Sequence, residues 1–130
     1  MIICLAEIIK VYFRITNPWK GKLFMSTNYK IVRDAVSNKQ IIKAKYDGYE
    51  REMCPHIIGK NREGRDHVFV YQFGGYSSKG KIIPNSKSNW RCIQIDKLEN
   101  IRVEEGKWHT FDNHSKAQVC VVHIDLEVQI

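Results

Sequence analysis

The chain is short of the features that announce a common chemistry. Its four cysteines, Cys4, Cys54, Cys92 and Cys120, are scattered over 130 residues. No C-x2-C or H-x3-H spacing of the kind used by structural zinc sites occurs. Met1 to Ile9 is apolar, but Glu7 interrupts it, and neither a basic leader nor a small-residue cleavage site follows. No apolar run approaches the roughly 20 residues that cross a bilayer. The expectation is a cytoplasmic protein without a disulfide framework. Gly74-Gly75 follows a strand pattern, but no helix is expected after it, so a phosphate loop is excluded. Paired inward carboxylates are missing, and no nucleophile signature surrounds Cys54 or Cys120. These gaps point away from an enzyme and from any cofactor.

Acidic residues are also scarce. Fourteen Asp and Glu stand against 21 Lys and Arg, a formal net charge of +7. Such a balance favours an anionic partner: nucleic acid, a nucleotide or another phosphorylated ligand. The plainer alternative is a soluble basic surface. Lys10, Arg14, Lys20 and Lys22 against Glu7 concentrate much of the excess in residues 1–24. That segment reads as an N-terminal arm or extension, broken by Asn17-Pro18 and Lys20-Gly21-Lys22. The domain proper is expected over 25–130.

Ser26 or Thr27 can cap a helix over 27–38, in which Tyr29, Val32, Ala35 and Val36 share one face. Asn38 suits its end. The period then changes to two. Ile42, Ala44 and Tyr46 alternate with Lys43 and Lys45, and Asp47-Gly48 signals a two-residue type I′ turn. That turn fixes the register: Tyr46 faces Tyr49, Lys45 faces Glu50, Ala44 faces Arg51, Lys43 faces Glu52 and Ile42 faces Met53. Two opposite-charge pairs, Lys45–Glu50 and Lys43–Glu52, should lie across it. Further strands are expected at 67–73, 90–95 and 101–104. A polar loop spans 74–89, and 106–117 is irregular. A final strand over 118–130 should turn Cys120, Val122, Ile124, Leu126 and Val128 inward, and His123, Asp125 and Glu127 outward. The predicted class is mainly β (α+β): one N-terminal helix followed by a small antiparallel barrel.

Two blocks carry a family resemblance. Arg51 is followed four residues later by Pro55, within the segment Arg51 to Ile58. Arg91 opens a second block, Arg91-Cys-Ile-Gln-Ile-Asp96-Lys-Leu98. Over roughly residues 27–105 the chain resembles the WYL domain. His67 to Tyr71 sits where the naming tripeptide belongs, although the tripeptide itself is absent. The resemblance implies a compact Sm-like barrel acting as a sensing or regulatory module. It implies nucleic acid or a nucleotide-like compound as ligand, and here a stand-alone unit, a homo-oligomer or a subunit of a larger complex.

The residues point the same way without the family. Arg51 lies between Tyr49 and Met53 on the apolar face of its strand, and Arg91 lies beside Ile93 and Ile95. Inward arginines are costly unless paired. Either they converge at one end of the barrel and grip a phosphate or base, or each is neutralised by a carboxylate such as Asp96 or Glu50, or reaches the rim. Tyr71, Trp90 and Lys97 are the expected supporting contacts. Phe73 and Tyr76 are further stacking candidates, with Lys79, Lys81 and Lys87 in the loop. Phe69 and Phe73 also suit the core. An alternative is a small zinc module built from Cys54, His56, His109, His114, Cys120 and His123, with Cys92 and Cys120 otherwise fitting as small core residues. A second alternative is a protein-interaction module that adds a strand to a partner.

Overall fold

The computed structural model describes residues 26–111 and 118–129. The expected arm at 1–24 and His114 lie outside the described residues.

Helix α1 spans Thr27–Asn38. The Ser26 side chain caps it by accepting from the Tyr29 N–H at 3.1 Å, and Tyr29, Val32, Ala35 and Val36 are buried. The left-handed residue that ends it is Lys39 (φ 55°), one position after Asn38. The next amide, Gln40, then donates to the carbonyl of Ala35.

Strands β1 (Ile41–Tyr46) and β2 (Tyr49–Lys60) follow in the expected register, from Tyr46 opposite Tyr49 to Ile42 opposite Met53. Positive φ at Asp47 and Gly48 makes the turn. The expected cross-strand charge pairs are replaced by others. Strand β6 (Glu99–Glu104) lies along the far edge of β1. Lys43 pairs with its Glu104 at 3.1 Å, and Glu50 takes its Arg102 at 2.5 Å.

Strand β3 (Asp66–Ser77) pairs with β2 well beyond residue 73, and β4 (Gly80–Lys81) turns back on its end. Part of the expected loop is therefore hydrogen-bonded. A register shift brings Gly75 opposite Arg51 with φ 83°. A Cβ there would stand 2.3 Å from the Glu50 carbonyl oxygen, so only glycine allows this approach. Strand β5 (Trp90–Gln94) pairs with β3, and β7 (His123–Glu127) pairs with the far end of β2.

The result is mainly β: a seven-stranded antiparallel sheet with one helix among the described residues. Its path runs β4-β3-β2-β1-β6, with β5 also on β3 and β7 also on β2. The sheet is open, since no ladder among the described residues joins β5 to β6. It nevertheless curls. Only Ile95 to Leu98 separate β5 from β6, which holds their near ends within about 17 Å. The Tyr46 hydroxyl at the end of β1 also accepts from the Gln94 N–H on β5 at 3.1 Å. Helix α1 covers the concave side, where Val32 and Val36 join Ile42, Met53, Ile58, Val68, Val70, Ile93 and Ile95 in one core. Asn28 pins the helix to the β5–β6 turn by donating to the carbonyls of Ile95 and Leu98.

The last strand departs from expectation. It covers only 123–127, and Val122 and Ile124 are exposed while Cys120, Val121 and Val128 are buried. The ladder with β2 shifts between Ile58 and Gly59, where the chain passes so close that a Cβ on Gly59 would meet the His123 carbonyl oxygen at 2.1 Å. The shift breaks the period of two. The cysteines also differ from expectation: Cys92 and Cys120 are joined in a disulfide, and Cys92 is exposed rather than core. Strand pairing puts Cys92 opposite Phe69, and Cys120 packs against that same Phe69, a meeting that sequence spacing cannot foretell. No helix among the described residues is long and apolar enough to cross a membrane.

Candidate anion-binding cleft

The alternation of β2, β3 and β5 sorts the candidate residues onto two faces. Arg51 and Met53 point to the concave face, as does Arg91 with Ile93. There the two arginines line one cleft of about 330 Å³, with Tyr46 and Asp47 from the first turn, Ser77, Ser78 and Lys79 from the β3–β4 turn, and Ser88.

Arg51 is 6 % exposed. Its Nε donates to the Tyr46 carbonyl at 3.2 Å, and its Nη1 donates to Gln72 Oε1 at 3.3 Å. The guanidinium lies over the rings of Tyr46 and Tyr49, 5.2 and 5.7 Å from their centroids. Gln72 is itself fully buried, and its Nε2 donates to the carbonyls of Gly74 and Tyr76. That anchoring leaves Oε1 aimed at Arg51. Sequence reasoning missed Gln72, though a signal was there: it continues the inward series Val68, Val70 as its one polar member.

Arg91 donates through Nη1 to the carbonyls of Ser88 (2.5 Å) and Trp90 (3.1 Å). Burial pulls its pKa down, and the charge of Arg51 lowers it further. Burial likewise lowers Arg51, opposed chiefly by Asp47 on the rim. Both stay cationic at neutral pH. Among the described residues neither guanidinium forms an ion pair with a carboxylate: Glu50 is taken by Arg102, and Asp96 bonds neither arginine. Each guanidinium uses two of its five N–H donors, leaving three. Trp108 Nε1 is the one buried side-chain nitrogen or oxygen without a partner among the described residues. The nitrogens that make no hydrogen bond, Arg51 Nη2 and Arg91 Nε and Nη2, are therefore not sealed in the interior, and both side chains line the cleft.

The other face is aromatic and closed. Trp90 stacks on Phe69 (centroids 4.8 Å) and meets Tyr71 and His56 edge-on. Residues 108–111 lie over it: Trp108 against His56, Phe111 on Tyr71 and His109 on Phe73. Tyr71 and Trp90 thus stand on the face opposite Arg91, because neighbours on a strand point apart. Lys97 is exposed in the turn between β5 and β6, outside the cleft. Tyr71 reaches the cleft only at second hand. Its hydroxyl donates to the Ser86 carbonyl at 2.8 Å, steadying the turn whose Ser88 holds Arg91.

The candidate metal residues that lie among the described residues do not converge. Among the described residues no three His, Cys, Asp or Glu side chains are grouped to hold an ion. Cys120 is in the disulfide, and the Cys54 sulfur accepts from the His109 N–H at 3.2 Å. His56 is bonded to the Cys54 carbonyl oxygen and to Thr110 Oγ1. Burial pushes the Cys54 thiol up to about 12, which makes it a poor nucleophile. Compared with known proteins, the chain matches no family model, no curated protein and no solved structure.

Proposed function

We propose that the chain is a non-catalytic, WYL-like regulatory module of the cytoplasm that binds a phosphorylated ligand, a nucleotide or a short stretch of single-stranded nucleic acid, between Arg51 and Arg91. The observation that carries this reading is the pair of guanidinium groups in one cleft, with no carboxylate in ion-pair contact among the described residues and with donors left over. Two like charges brought together at a desolvated site are unfavourable until an anion enters. A phosphate matches the planar forks, and Lys79 with the three serines supplies further donors around it. An Sm-like barrel is supported by the edges of the sheet: β5, lying on β3, and β6, lying on β1, are consecutive in the chain and joined by a single turn.

The test is fluorescence anisotropy with labelled single-stranded DNA and RNA. Three or four phosphate contacts give a log–log salt slope of roughly −2 to −3. Flat curves at low salt would remove the proposal. A second reading, a protein-interaction module, draws on an apolar strip at β7, where Val119, Val122 and Ile124 are 79, 45 and 51 % exposed. Light scattering after size-exclusion chromatography would find a homo-oligomer formed there, and Ile124→Lys would dissolve it.

A further inference from the structure

Resting on that reading of the cleft, we propose that the Cys92–Cys120 disulfide is a redox latch that holds Arg91 beside Arg51 when oxidised and releases it when reduced. Strand β5 is a short edge strand. It has five residues and, among the described residues, one strand neighbour, pairing with His67 to Tyr71 of β3. A 3-10 turn stands at each end. Yet it carries one of two cations that repel each other across the cleft. The disulfide is the covalent tie that opposes this, and it sits one residue from Arg91, with Cys92 part of the cleft wall.

The far end of the tie is firm. Cys120 is buried in a small cluster with Ile57, Val121 and Phe69, and Phe69 is the ring on which Trp90 stacks. The same segment is fastened to β2 by the Val122 N–H donating to the Lys60 carbonyl. Oxidation therefore clamps the outer face of β5 to the centre of the sheet. Reduction leaves an edge strand held by its ladder, by Trp90, by Ile93 in the core and by the Gln94 N–H bond to Tyr46, with no covalent tie beside Arg91.

The sulfurs are placed for exchange from one side. Cys92 is exposed and Cys120 is buried, so a thiolate of a soluble dithiol reductant attacks the Cys92 sulfur. The S–S bond breaks, Cys120 leaves as a thiolate and takes a proton from water. The second thiol of the reductant then displaces Cys92 from the mixed disulfide, yielding two protein thiols and one oxidised reductant. Cys54 does not compete as an internal attacker, being buried. In a compartment kept reducing by thiols the latch is open by default; a small disulfide oxidant closes it by forming a mixed disulfide with Cys92, which Cys120 then displaces, so that the oxidant leaves as two thiols.

The experiment uses the full chain, oxidised, dithiothreitol-reduced and reoxidised, with a fluorescein-labelled deoxythymidine oligomer as probe at low salt. The expected result is at least fivefold weaker binding after reduction, restored by reoxidation. A Cys92→Ser/Cys120→Ser variant should be fixed in the weak state whatever the reductant. Equal affinity in the oxidised and reduced chain overturns the latch and leaves the cleft reading standing. If neither form binds, the cleft reading fails and the latch is judged by hydrogen exchange. Faster exchange of the Arg91 to Gln94 amides on reduction supports it, and unchanged exchange overturns it.

Discussion

Strand β5 has two faces that do opposite work. On one, Arg91 stands over a cleft with cationic donors left open. On the other, Trp90 and Cys92 are locked into a stack of rings and a covalent bridge. The first face sets an electrostatically unfavourable cation beside the buried Ile93; the second is aromatic, covalently tied and stabilising. A period of two is all that separates them. The comparison teaches that residues next to each other in this sequence belong to different problems, one of recognition and one of stability. Substitutions on the two faces should divide accordingly.

The largest effect should come from the closed face. Removing the bridge with Cys92→Ser/Cys120→Ser frees a loop with a sequence separation of 28, for which chain entropy gives a loss of about 3.6 kcal/mol. Urea unfolding of the oxidised parent and the variant would measure it. Trp90→Ala should follow at about 3 kcal/mol, since it deletes the ring packed against Phe69, Tyr71 and His56. If either variant unfolds at the midpoint of the parent, the division between the faces is wrong.

The open face should answer in binding instead. Arg91→Ala is expected to weaken binding of single-stranded oligonucleotide by ~1.5–3 kcal/mol, the scale of a charge-assisted bond. Stability should stay within ~0.5 kcal/mol, because the loss of its carbonyl bonds is offset by relief from Arg51. Binding left intact while stability falls would make Arg91 a structural residue. A gentler version is Gln72→Leu, which keeps the volume and removes the oxygen aimed at Arg51. It should weaken binding by about 1 kcal/mol without touching Arg51 itself.

Much of this division could be read in the residues, and each failure has its own physical cause. Helix α1 and the β1–β2 hairpin are set by local chemistry, a serine cap and an Asp-Gly turn, so their bounds and register follow from sequence alone. The inward arginines were legible because alternation holds through that hairpin and through β5. Alternation fails wherever the chain bulges. The shift at Ile58–Gly59 reversed Val122 and Ile124. For Tyr71 and Trp90 alternation held and was not followed through: Trp90 adjoins Arg91 and pairs with Tyr71, so both stand behind the sheet, away from the cleft for which they were chosen. The Cys92–Cys120 bridge depends on a crossing of distant segments, and no spacing rule encodes it.

The smallest expected effect separates the faces by pH. The cleft is built on arginines, which do not titrate in the accessible range. The closed face carries His109, stacked on Phe73 at 4.0 Å, whose pKa is lowered from 6.5 by burial first and then by Lys107. A histidine with a depressed folded-state pKa binds its proton more readily when unfolded. Its contribution to stability is therefore complete above about 6.5, and it is lost as pH falls through the lower folded value. Urea midpoints taken in steps from pH 7.5 to 5 should decline in that lower window, and His109→Phe should flatten the decline by keeping the ring and removing the proton. An unchanged decline in His109→Phe would place the acid sensitivity elsewhere and take the pH contrast between the two faces with it.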